Sequence, residues 1–172
     1  MLKKLEDRIK ESLPNQSSDE QSKIKKFVLE AIKFNKSHNI FVRKIAEEVF
    51  EKDILDCMPL IEKINHNEKI LDMGSGGGFP GLLIAILRPE CEIHLLEKSQ
   101  KKCYFLNKII HELKLVNAKT LNTHIRPTNK LGTYSLITSR AFSSTENTLK
   151  LSTKNLETGG RYILLKGREE KI

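Results

Sequence analysis

Ile70-Leu71-Asp72-Met73-Gly74-Ser75-Gly76-Gly77-Gly78-Phe79-Pro80-Gly81 is the stretch whose reading decides the fold. An apolar pair runs into an acidic residue, a glycine-rich turn follows, and beyond Pro80 the chain is apolar from Leu82 to Leu87. This order predicts a buried strand, a tight loop and a helix start with Pro80 in the first turn. Glycines carry no Cβ, so a ligand can lie close to bare backbone at such a junction.

Two nucleotide-like ligands suit a junction of this kind. Gly76-Gly77-Gly78-Phe79-Pro80-Gly81 satisfies the dinucleotide pattern G-x-G-x-x-G, a weak match where five glycines fall within eight residues. The pyrophosphate of a dinucleotide would face the helix start, and Asp72 close by would repel it. The same carboxylate would attract a cation. Asp72-x-Gly74-x-Gly76-x-Gly78 resembles the first motif of class I methyltransferases, whose cofactor S-adenosylmethionine carries a sulfonium and an ammonium and no phosphate. A glycine turn with no ligand is the plain alternative, which the density of the pattern disfavours.

The 172 residues suffice for one α/β domain and a small appendage. There are 30 Lys and Arg against 22 Asp and Glu, a net charge of +8. Residues 1–69 hold 14 basic and 13 acidic side chains and residues 70–172 hold 16 and 9, so the excess lies with the glycine loop. That suits a polyanionic substrate such as nucleic acid, although an ordinary lysine-rich surface would carry the same charge. Cys57, Cys91 and Cys103 are odd in number and widely spaced, which indicates neither a disulfide framework nor a zinc site. The N-terminus has no apolar signal-peptide core and no run nears membrane-spanning length, so a soluble, cytoplasmic protein without membrane contact is expected, as a monomer.

Before the glycine loop the pattern is helical. Residues 2–13 predict a short helix closed by Pro14; Ser17 or Ser18 caps a second, whose stripe Ile24, Phe27, Val28, Ala31 and Ile32 ends near Lys36. Ile45, Val49, Ile54, Leu55 and Met58, interrupted near Asp53, predict one or two more helices before Pro59. Residues 1–68 are thus expected to form a helical cap and 69–172 a Rossmann-like domain. In that second part Glu92–Glu97, Lys119–Ile125, Tyr134–Thr138 and Arg161–Lys166 predict further strands. Between them lie a helix with Phe105, Leu106, Ile109, Ile110 and Leu113 on one face and another over Ser144–Asn155, which leaves through Gly159-Gly160. Such alternation implies an α/β, parallel, doubly wound sheet with ligands at the carboxyl ends of its strands.

Candidate site residues follow strand ends. Glu97 closes the second strand, where a carboxylate can accept two hydrogen bonds from a ribose in methyltransferases and NAD enzymes alike. Ile125 and Arg126 follow the third strand where an adenine would lie, Ile125 as an apolar wall. Ser139-Arg140-Ala141-Phe142 follow the fourth, facing the place where a substrate base would meet the cofactor. Methyl transfer from a sulfonium is an in-line displacement governed by alignment. The chain lacks the Pro-Cys of pyrimidine C5 chemistry and the paired prolines of exocyclic-amine methylation. A ring nitrogen such as guanine N7 has a free lone pair and needs no general base.

Several ordered segments resemble one family, the small-subunit ribosomal RNA methyltransferase G or glucose-inhibited division protein B family. They are Phe34-Asn35-Lys36-Ser37-His38-Asn39-Ile40, Lys52 to Cys57, Asp72 to Gly81 with its Pro-Gly ending, His111 to Leu115, Ser139 to Phe142, and Leu165-Lys166-Gly167. The resemblance runs from about residue 27 to the C-terminus. It implies a class I S-adenosylmethionine-dependent fold and methylation of N7 of guanine 527, in the 530 loop of 16S rRNA, with that RNA or the small ribosomal subunit as partner. It also implies that Gly74 and Phe79 line the cofactor, that Ile125 and Arg126 flank its adenine, and that Arg140 contacts its reactive end. With Asp72, Gly76, Gly78 and Glu97 these make the expected cofactor set; Lys36, Asn39 and Lys166 are the implied RNA contacts, and Arg140 and Lys166 would position the base. The sequence departs from the family at Phe41, Asp53, Cys57 and Arg126, where threonine, histidine, serine and glutamate are frequent. Only residues 167–172 follow the fifth strand, so the antiparallel strands six and seven that normally finish such a sheet are expected to be missing. A catalytically impaired RNA-binding remnant and a nicotinamide-dependent oxidoreductase remain as alternatives.

Overall fold

The computed structural model describes residues 2–166. Helix α1 (Leu2–Ser12) stops ahead of Pro14. Helix α2 (Ser18–His38) begins at a capping box, in which the Ser17 hydroxyl accepts from the Glu20 N–H and the Glu20 carboxylate accepts from the Ser17 N–H. It buries Ile24, Phe27, Val28 and Ala31 and ends two residues past Lys36, with Asn39 left-handed at φ 50°. Next come α3 (Ala46–Val49), a π-helical turn (Phe50–Ile54) and α4 (Leu55–Ile61). The interruption read near Asp53 is that π turn. The helix does not stop before Pro59: burial of Leu60 and Ile61 carries it two residues further, with Pro59 on the exposed side.

Five parallel strands then form one sheet in the order β3-β2-β1-β4-β5, with β1 (Lys69–Met73) central, β2 (Glu92–Leu96) and β3 (Ala118–Leu121) to one side, and β4 (Tyr134–Arg140) and β5 (Leu156–Leu165) to the other. Helices α5 (Gly81–Leu87) and α6 (Gln100–Glu112) make the crossovers on one side of β1, and α7 (Thr145–Ser152) with a 3₁₀ turn (Thr153–Asn155) makes the crossover from β4 to β5. This is the doubly wound sheet that the alternation predicts.

Three boundaries differ from the expectation. β3 ends at Leu121 rather than Ile125, because Asn122 turns its amide onto the carbonyls of Glu97 and Lys98 at the top of β2. β4 runs through Ser139 to Arg140, so these two belong to the strand. Gly159 and Gly160 lie inside β5 rather than ahead of it. There the register jumps from Tyr134↔Leu156 to Leu136↔Arg161, and Gly159 takes φ +80° to absorb the bulge.

One apolar cluster runs from Leu5 and Ile9 through Phe27 and Phe50 to Phe105 and Leu136, crossing the expected division at residue 68. The Phe27 ring stacks on Phe79 at 5.0 Å and on Phe105 at 6.4 Å, so the cap helices share the core of the sheet. A smaller cluster of Leu71, Met73, Tyr134 and Ile137 covers the other face. Among the described residues β5 is an edge strand; the expected loss of strands six and seven turns on residues 167–172, outside the described residues.

Candidate active site

Strand parity sets the site. Along β1, Ile70 packs into the large cluster and Leu71 and Met73 into the small one. The two-residue period therefore turns Asp72 towards α5. Its carboxylate is 0 % exposed, and Oδ2 accepts the Gly81 N–H at 3.0 Å while Oδ1 has no hydrogen-bond partner among the described residues. Desolvation pushes this carboxyl up to about 7, against the lowering effect of Ser75 and the Gly81 N–H. A Cβ on Gly81 would meet the Leu95 side chain at 2.1 Å and Asp72 Oδ2 at 2.5 Å, so the bare backbone there makes room for the acid. Asp72 thus anchors the loop from behind and forms no wall of either cavity flanking that loop, where its charge is expected from the sequence to meet a cationic ligand.

The glycine loop separates two cavities, both touched by Gly74. The smaller, about 290 Å³, lies between the cap and the loop and is lined by Phe41, Arg43, Asp53, Gly76, Phe79 and Arg140 among others. The larger, about 370 Å³, lies over the ends of β2 and β4, with Glu97, Lys102, Ile125, Phe142 and Leu151 in its wall. The larger falls within, and the smaller just below, the roughly 300–1,000 Å³ usual for small-molecule sites. Two aromatic rings flank the loop. A Cβ on Gly74, whose φ is +69°, would come within 2.6 Å of the Phe142 ring, and one on Gly77 within 1.9 Å of the Phe41 ring. Gly78 serves packing instead: a Cβ there would strike Leu82 at 2.4 Å, and it lines neither cavity.

Glu97 is buried, with Oε1 accepting from Gly76 N–H at 3.0 Å and Oε2 from Ser99 N–H at 2.8 Å. Each oxygen keeps a second lone pair for a ligand in the larger cavity. Ile125 is buried in the wall of that cavity, while Arg126 is exposed and borders an adjoining polar groove of about 500 Å³ with Lys98 and His124.

Arg140, at the end of β4, reaches the π turn of the cap. Its Nη2 donates to Asp53 Oδ1 at 2.6 Å and its guanidinium lies 5.5 Å over the Phe79 ring. Arg43 Nε stands 3.6 Å from the other Asp53 oxygen. Burial alone would lower the Arg140 guanidinium, but the hydrogen bond and charge of Asp53 outweigh it and hold it above its ordinary value. Arg140 Nη1 and Arg43 Nε are buried without a hydrogen-bond partner among the described residues. Cys57 is buried beside Arg140 with its thiol pushed up to about 12 by burial, so it is no thiolate nucleophile. Lys36 and Asn39 are exposed at the end of α2, Lys166 is exposed past β5, and none of the three lines these cavities. Sequence reasoning missed Arg43, Lys102 and Leu151, which no local motif marks; the ring of Phe41 over Gly77 was equally invisible. Among the described residues no helix is long and apolar enough to cross a membrane, and no cluster of His, Cys, Asp and Glu could hold a metal ion.

A glycine loop after the central strand of a 3-2-1-4-5 parallel sheet, with a carboxylate closing the next strand, is the fold of the class I S-adenosylmethionine-dependent methyltransferases. A methyltransferase of that kind from Aquifex aeolicus superposes with a TM-score of 0.59 at 12% identity, covering 73% of each chain. Coclaurine N-methyltransferase, bound to N-methylheliamine and S-adenosylhomocysteine, superposes with a TM-score of 0.58 at 14% identity over 95% of this chain and 59% of its own. At such identities the likeness shows the fold alone. Residues 20–172 match the profile of the GidB family, rRNA small subunit methyltransferase G. Ribosomal RNA small subunit methyltransferase G of Ruthia magnifica is 35% identical over 150 residues, 87% of this chain and 73% of the relative. A namesake numbered 1 from Bdellovibrio bacteriovorus is 39% identical over 140 residues, 80% and 66% of the two chains. The chain belongs to this family of methyltransferases, and the nicotinamide-dependent alternative falls away.

Proposed function

We propose that the protein methylates N7 of the 530-loop guanine of 16S rRNA, with S-adenosylmethionine held across the two cavities of the glycine loop. Family membership supports the substrate class. Chemical fit supports the cofactor: Glu97 has spare acceptor capacity for a ribose and Ile125 an apolar wall for a base in the larger cavity. In the smaller cavity Asp53 offsets only one of the two guanidinium charges of Arg140 and Arg43, and the remaining positive charge suits the carboxylate of an amino-acid moiety, while Gly74 and Gly76 let it lie on bare backbone. Phe79 and Arg140 close the reaction end. Asp72 acts through the loop it anchors. When bound, the cofactor supplies an electrophilic methyl on a positively charged sulfur.

The observation that carries the N7 reading is the state of Asp53. It is the one carboxylate among the described residues lining the smaller cavity, and it is held between Arg140 and Arg43. Its two oxygens are turned to those guanidinium groups rather than to the open cavity, so it is not placed to take a proton from a base. N7 needs no proton acceptor: its lone pair forms the bond to carbon as the carbon–sulfur bond breaks, and no proton leaves the base. The work left to the protein is alignment and exclusion of water. Incubation with methyl-labelled cofactor and undermethylated small subunits is expected to label that guanine, located by mass mapping of the RNA. Label elsewhere would refute the position, and retention of the subunits without transfer would mark a binding protein instead.

A further inference from the structure

Given the reading above, in which the substrate is an RNA loop, we infer that the RNA docks where the end of α2 meets the start of α6, stacking unpaired bases on His38 and Tyr104. Residues 31–46 and 98–111 meet on this face and hold eight Lys and Arg, of which Lys108 pairs with Glu30 and Glu112 just outside these segments and Arg43 with Asp53. Two contacts lock the segments together. Lys101 Nζ donates to the His38 carbonyl at 2.8 Å. The buried Phe34 ring stacks with both outer rings: His38 lies parallel to it at 3.9 Å with 7° between planes, and Tyr104 at 6.0 Å with 30°.

The outer rings are therefore held by a fixed inner one and still face solvent, His38 exposed and Tyr104 at 64 %. Aromatic rings presented this way accept splayed-out bases of any sequence, whereas a paired duplex keeps its base faces covered. Part of the charge beside them is uncommitted. Lys33, Lys36, Lys44 and Lys98 are exposed, and among the described residues none has a carboxylate partner, unlike Lys108, which pairs with Glu30. Such lysines meet phosphates and set register, while the rings hold the bases. The face also adjoins both cavities. Three residues beyond His38 the ring of Phe41 rests on Gly77, and Lys102 of α6 lines the larger cavity. An acidic protein partner would use the lysines and have no use for the two open rings.

The test uses the full chain and a fluorescein-labelled RNA hairpin with an unpaired loop, read by anisotropy against the same stem closed as a duplex. Tyr104→Ala is expected to weaken hairpin binding about tenfold, within the range for one base–aromatic stack, and to leave duplex binding and S-adenosylhomocysteine binding unchanged. Tyr104→Phe should restore the hairpin affinity. Joint Lys33→Ala and Lys36→Ala replacement should make the slope of log affinity against log salt shallower by about 1.4, at roughly 0.7 per phosphate contact on a single strand. Unchanged hairpin binding in Tyr104→Ala, or an unchanged slope in the lysine variant, overturns the surface. A parallel loss of S-adenosylhomocysteine binding in Tyr104→Ala overturns it too, because the ring would then be structural. If the wild-type chain methylates subunits while these variants bind RNA normally, the docking face fails and the proposed activity stands; a wild type that binds no RNA removes both.

Discussion

At the scale of single residues, two glycines and an aspartate decide how the loop lies. Gly74 at φ +69° faces Phe142, and an alanine there would be strained by about 1–3 kcal/mol. Relief would swing Phe142 further into the larger cavity, whose wall it already forms. Gly74→Ala is therefore expected to weaken S-adenosylhomocysteine binding by at least about tenfold in calorimetry, with a stability loss on the order of 1–3 kcal/mol. Asp72 makes a different prediction. Its folded pKa of about 7 stands above the ordinary 3.8, so between those values the folded chain holds a proton that the unfolded chain has lost. Stability from this group is complete below about pH 4 and falls as pH rises towards 7, by about 4 kcal/mol at most from 1.36 kcal/mol per pH unit. The ligand-free Asp72→Asn variant should then match the wild type near pH 4 and exceed it at pH 8 in urea denaturation; a difference constant with pH would show that the carboxyl is ionised in the fold throughout. The strand, glycine turn and helix start around Asp72 and Gly74 were legible from their spacing. That Asp72 would face α5, and that Glu97 would be tied to Gly76 and Ser99, depended on strand parity and loop closure.

At the scale of elements, helices and strands were legible wherever their periodicity ran long, and their ends were not. The stripe of α2 and its Ser17 cap sit where the letters place them. The ends of β3, β4 and α4 moved because side chains remote in sequence claim the backbone there: Asn122 on Glu97 and Lys98, the pairing of Arg140 with Leu165, and the burial of Leu60 and Ile61. Asn117 shows the same economy of contacts at the end of α5. Its Nδ2 lies 3.1 Å from Ala85 O, 3.2 Å from Arg88 O and 3.1 Å from Cys91 O, serving carbonyls in the last turn of α5 and in the turn that follows it. Asn117→Ala should cost roughly 1–3 kcal/mol in chemical denaturation, the usual cost of stranding such acceptors. A loss under about 0.5 kcal/mol, the surface-residue level, would mean that water replaces the amide.

At the scale of the whole molecule, the cap and the sheet share one apolar core, in which Phe27 of α2 stacks on Phe79, straight after the glycine loop, and on Phe105 of α6. Phe27→Ala is expected to cost about 3–5 kcal/mol and to lower one common transition for helix and sheet signals. Two separated transitions would instead make the cap an independent unit. The bridge from Asp53 in the cap to Arg140 on β4 points the same way, since it puts a residue of each part into one cavity. The sequence alone determined the alternation of strands and helices, the glycine loop, the acid at the end of each of the first two strands and the family, because each is a local pattern of residue types. Only the tertiary structure decided which way those acids point, which rings cover the loop, and that Arg43, Asp53 and Arg140 meet. Those outcomes depend on packing between segments up to 97 residues apart, from Arg43 to Arg140, and no short-range pattern encodes contacts of that length.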